Sequence, residues 1–130
     1  MKNILKIALP FIALAMLFSC NVEDLEDYNP EFKGEWRSAK YYTPSVGDST
    51  QNYITIDGRD GGLGIGCEID CQFCKCMVFQ AGRVKINKKT KEIQVGGTVQ
   101  QIMRITQEPF VNFEGRWEME IDNVAYFRDE

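Results

Sequence analysis

Four of the five cysteines fall within ten residues, as Cys67, Cys71, Cys74 and Cys76 in a C-x3-C-x2-C-x-C run. Thiols this close can hold a metal ion, pair as two disulfides, or exchange electrons as a Cys71-x-x-Cys74 couple. A four-thiolate zinc site usually draws two ligand pairs from separate loops, whereas here one decapeptide must bend to supply all four. A redox couple wants a helix N-terminus to stabilise its thiolate, and no helical pattern surrounds the run. Histidine is absent from all 130 residues, which removes the usual general base of nucleophilic sites and the commonest metal ligand. No catalytic residue and no cofactor is assigned, and an enzyme is not expected.

The fifth cysteine ends a different pattern. Lys2 and Lys6 make a positive leader, residues 7–18 are an apolar segment too short to span a bilayer, and Leu17-Phe18-Ser19-Cys20 closes it. A plain secretory signal would favour an A-x-A-like site, and a membrane anchor would need about twenty apolar residues. The tetrapeptide resembles the lipobox of bacterial lipoproteins. That resemblance implies cleavage before Cys20, lipidation of its thiol, and a head domain held outside the cytoplasm by acyl chains. Free thiols tend to oxidise in such a compartment, so the four clustered cysteines are expected to form two disulfides. A hairpin centred on residues 70–72 would nest Cys67–Cys76 around Cys71–Cys74. The first three also resemble a radical-SAM cluster site, but that site belongs to a large cytoplasmic α/β barrel, which an exported chain of this length does not match.

Loss of residues 1–19 removes two lysines and no acid, leaving 13 basic and 19 acidic residues, a net charge of −6 over 111 residues. Nucleic acid is excluded as a partner, because phosphate binding needs a dense basic patch and the Lys88-Lys89-Thr90-Lys91 run reads as a turn. Residues 20–31 carry four acids after the cysteine and Glu31 at the end, with few apolar side chains, and are expected to be a flexible spacer. The acidic stretch resembles the surface-export signals of Bacteroidota lipoproteins, which implies the outer membrane or cell surface of a Gram-negative bacterium.

From residue 32 to 130 the apolar period is two. Leu63, Ile65, Cys67 and Ile69 alternate with small or polar residues, as do Val84 and Ile86, Ile93 and Val95, and Trp117, Met119 and Ile121. Turn signals interrupt at 57–62, 81–82, 87–91, 96–97 and 122–123. The spacing predicts one all-β domain with strands near 34–43, 51–57, 63–69, 73–80, 83–87, 92–96, 98–106, 115–121 and 124–128 in an antiparallel meander. A small up-and-down barrel and a β-sandwich both fit that pattern. Residues 107–114 are expected as a connection whose Phe110 and Phe113 cap one end of the core.

Gly34-Glu35-Trp36 at the first strand and Arg128 at the last resemble the G-x-W start and terminal arginine of lipocalin-like (calycin) barrels. The resemblance implies that Trp36 plugs one end, with Arg128 stacked across it and Gly34 giving clearance. Short strands leave at most a shallow mouth, where Tyr41, Tyr53 and Trp117 could contact a ligand. The expected function is therefore a lipid-anchored, non-catalytic domain binding a small amphipathic ligand or an envelope protein. A structural accessory subunit of an outer-membrane complex and a cysteine-based metal module are the alternatives. Intact mass of the mature protein from membranes should show acylation at Cys20 and a gain of four hydrogens on reduction.

Overall fold

A computed structural model describes residues 21–45, 47–67 and 77–128, and contains ten strands. They are β1 (Val22–Asp24), β2 (Gly34–Ser38), β3 (Tyr41–Thr43), β4 (Asp48–Asp57), β5 (Asp60–Cys67), β6 (Met77–Asn87), β7 (Glu92–Gly96), β8 (Gln100–Val111), β9 (Trp117–Ile121) and β10 (Val124–Arg128). Eight of them close an antiparallel up-and-down barrel in the order β2-β4-β5-β6-β7-β8-β9-β10, with β10 returning to β2 through Tyr126↔Ser38 and Phe127↔Arg37. This is a lipocalin-like barrel rather than a sandwich, because the first and last wall strands pair and leave no open edge.

Period-two alternation puts the core inside. Ile54 and Ile56 of β4, Val84 and Ile86 of β6, Ile93 and Val95 of β7, Met119 and Ile121 of β9, and Tyr126 of β10 are all buried. Two boundaries differ from the sequence expectation. The turn expected at Ala81-Gly82 is absent: β6 runs through it, with Gly82 at φ 145° and its α-carbon so close to β7 that an added Cβ would lie 2.9 Å from Gly96 Cα. The connection expected over 107–114 is instead mostly strand, since β8 continues to Val111 through Pro109, and two register shifts between Ile105 and Phe110 absorb the proline. Phe110 and Phe113 do not cap the core; Phe113 is 97% exposed.

The segment expected as a spacer is also built into the fold. β1 pairs with Lys85–Asn87 of β6, helix α1 (Leu25–Tyr28) follows, and a 3-10 turn (Pro30–Phe32) leads into β2. Leu25 and Phe32 are fully buried and close the end of the barrel where β2 begins. Counting acids concealed this, because two apolar side chains at the right places suffice to dock a short segment. Asn29 caps the 3-10 turn by accepting from Glu31 N–H at 3.0 Å, and Pro30 starts it.

Trp36 completes the plug. It is fully buried and its indole N–H donates to the Phe32 carbonyl at 2.7 Å. The Arg128 guanidinium lies 4.7 Å from the ring centroids of both Trp36 and Trp117, and donates to the carbonyls of Glu31, at 2.8 Å, and Lys33. Gly34, at φ 137°, leaves the space that the Arg128 side chain crosses. Beside the plug, Lys91 donates to the Tyr28 hydroxyl, which donates to Glu108, and Lys91 and Glu108 form an ion pair at 3.3 Å. α1 is thereby clamped to the β6–β7 turn and to β8.

Burial pushes the Glu108 carboxyl up, but the bonds from Tyr28 and Lys91 outweigh it and hold the group below the ordinary 4.5. A lowered carboxylate contributes stability present above its unfolded value and lost as pH falls through its folded one. Denaturant midpoints should therefore drop from about pH 6 to about pH 3, and less so in Glu108→Gln, by a modest margin because the pair is partly solvated. Trp36→Ala should cost about 3–5 kcal/mol of unfolding free energy by the same measurement.

Candidate functional site

Up-and-down connectivity sends alternate turns to opposite ends. With one end filled by Leu25, Phe32 and Trp36, the other carries the turns after β3, β7 and β9, and no such plug stands there among the described residues. A cavity of about 270 Å³ lies at that end. Ile54, Leu63, Ile65 and Met103 supply an apolar floor, and Asn52, Gln101, Asp122 and Tyr126 bring polar groups to its border.

Each polar group is placed by an identifiable local feature. Asp122 and Asn123 both have positive φ, 52° and 61°, the signature of a two-residue type I′ hairpin turn that Asp-Asn suits. The Asp122 carboxylate accepts from Arg104 N–H at 2.9 Å, which fixes the turn to β8. Asn52 sits where the first wall strand breaks between β2 and β3. Its backbone N–H donates to Ser38 Oγ at 2.9 Å, and neighbouring Gln51 donates from its side chain to the Ser38 carbonyl at 2.9 Å. The Asn52 side-chain oxygen accepts from the Tyr41 hydroxyl at 2.8 Å, and Asn52 and Tyr126 line the same cavity.

Burial of Tyr126 pushes its phenol above the ordinary value; the nearby Asn52 amide opposes this, and the Asp122 charge adds to it. The mouth thus presents a neutral hydroxyl, an amide and one carboxylate over an apolar floor. Such a set can orient a small molecule by hydrogen bonding. Asp122 is the one charged residue among the described residues lining the cavity.

The three aromatic residues expected at the mouth are not brought together. Tyr41 reaches it only through Asn52 and is otherwise exposed. Tyr53 is among the residues lining the cavity, but its ring packs over Gly66, whose missing Cβ makes the room, with the Arg37 guanidinium carbon 5.2 Å from the ring centroid. Trp117 is at the plugged end under Arg128. Asn52, Gln101, Met103, Asp122 and Tyr126 escaped sequence reasoning. Only the Asp122-Asn123 turn signal was visible, and it did not say which strands would face one another.

Cys20, Cys71, Cys74 and Cys76 lie outside the described residues; Cys67 contributes its backbone to the end of β5. Among the described residues no cluster of three or more Cys, Asp or Glu could hold a metal ion, and no helix is long and apolar enough to cross a membrane. The chain matches no protein-family model, no curated protein and no solved structure.

Asn52→Leu should leave the Tyr41 hydroxyl without its partner, remove an amide from the cavity border and cost about 1–3 kcal/mol, read by thermal or denaturant unfolding. Tyr41→Phe, which removes one bond at an exposed position, should cost well under half of that in the same assay.

Proposed function

We propose that this chain is a lipid-anchored, extracytoplasmic, non-catalytic barrel that binds a small amphipathic molecule in its open mouth. The observation that carries the reading is the asymmetry of the barrel interior. One end is filled by Trp36, Phe32 and Leu25, while the other keeps a cavity with an apolar floor and a polar border. A domain serving only as scaffold has no use for an unfilled mouth, because a void forfeits contacts that side chains would otherwise make.

Size and charge narrow the ligand. Pockets for drug-sized molecules run from about 300 to 1,000 Å³, so about 270 Å³ suits a smaller molecule or one end of a longer one. With Asp122 as the lining charge, a ligand bearing a carboxylate or phosphate would place like charges together. A neutral or cationic head above an apolar body fits. The lipobox-like run ending at Cys20 supports the anchoring, and the absence of histidine supports a binding role over a catalytic one.

Binding of a small uncharged fluorescent amphipath such as N-phenyl-1-naphthylamine tests this directly. Saturable binding should be lost at least tenfold in Met103→Trp, which fills the floor, with the unfolding midpoint little changed. Asp122→Asn should weaken a cationic amphipath severalfold while leaving the neutral probe alone. Equal, non-saturable binding to wild type and Met103→Trp would end the ligand reading.

A further inference from the structure

We propose that the plugged end of the barrel is a membrane-facing base that rests on the bilayer, with Phe113 in the interface and the mouth pointing away. This rests on lipidation of Cys20. The decisive observation is how little chain separates that residue from the fold. Lys88 N–H donates to the Asn21 carbonyl at 2.7 Å, and β1 begins at Val22 against the end of β6. Leu25, five residues past Cys20, is fully buried. One peptide unit spans about 3.8 Å, so an anchor on the residue before Asn21 leaves almost no slack between the bilayer and β1.

Topology then decides what meets the lipid. The β4–β5, β6–β7 and β8–β9 turns share the plugged end with β1. The β8–β9 turn is rigidly folded, because Asn112 Oδ1 accepts from the backbone N–H groups of Glu114 and Arg116 at 3.0 Å each. At its tip Phe113 is 97% exposed, an aromatic ring held out of any core. The three turns carry five basic and three acidic residues, but Glu23, Asp24, Glu26, Asp27 and Glu31, against Lys33, in the segment leading into β2 occupy the same end and more than offset the excess. The base thus has no net positive field, and its contact does not depend on anionic lipid. β4, ten residues long and tilted as barrel strands are, lifts the mouth about 25 Å above the surface.

The test uses full-length acylated protein in phosphatidylcholine vesicles, beside a variant with a roughly twelve-residue Gly-Ser insertion between Cys20 and Asn21, enough for about 20 Å of reach. Hydrogen exchange of amides 88–91 and 112–116 should be severalfold slower in the native chain than in the insertion variant. Amides 97–99 and 122–123 at the mouth should exchange alike in both. Phe113→Ser should narrow the difference at 112–116 and keep it at 88–91; an unchanged 112–116 would remove Phe113 from the contact. Acylated protein without an end-specific difference, or with protection at the mouth, overturns the orientation alone. Intact mass lacking acyl chains overturns the anchoring as well.

Discussion

The barrel depends on a single cross-link without a covalent bond: the guanidinium of Arg128 held between two indoles. By stacking on Trp36 of the first wall strand and Trp117 of the penultimate one, it pins the last residue described in the chain to both of its neighbours. Its donations to the Glu31 and Lys33 carbonyls take the link further, into the backbone that leads out of the 3-10 turn. Each stack contributes about 0.5–2 kcal/mol, and the planar fork of donors is what lets one side chain serve rings and carbonyls together. A lysine could not do this.

Because one end is closed so firmly, the division of labour along the axis follows. Trp36, Phe32 and Leu25 fill the base, where small barrels are ordinarily packed by their own side chains. The mouth is left to residues that fill space poorly and hydrogen-bond well. Asn52 is central there, since its side-chain oxygen accepts from Tyr41, it lines the cavity with Tyr126, and its backbone is held by Ser38. The break of the first wall strand into β2 and β3 is therefore what positions the mouth's polar chemistry.

The meander was legible in the sequence because alternation and turn residues act over short distances, whereas its closure through β10 and β2 was not, since a sandwich fits the same period. Asp122-Asn123 demanded a two-residue hairpin turn, and the Gly34, Trp36 and Arg128 positions suggested a plug whose geometry the fold displays. Register was not legible, and it decides which residues share a cavity. Met103 and Leu63 are far apart in sequence and meet only because the barrel tilts its strands. Tyr53 shows the same limit: it lines the cavity, yet its ring packs over Gly66, a contact set by the β4–β5 register. The acidic run after Cys20 misled by composition, since Leu25 and Phe32 alone outweigh its polarity.

The wall is not uniformly stiff. β4 and β5 hold eight consecutive residue pairs, whereas the β6–β7 ladder runs only from Val84 to Asn87. Above it, toward the rim, the described bond joining the two sides is from the Gln80 amide to the Val99 carbonyl at 2.7 Å. One such bond is worth about 0.5–1.5 kcal/mol, so the cup yields along this seam long before the opposite wall gives way. Gly82 and Gly96, which let the two backbones touch, mark where the paired part of that seam ends.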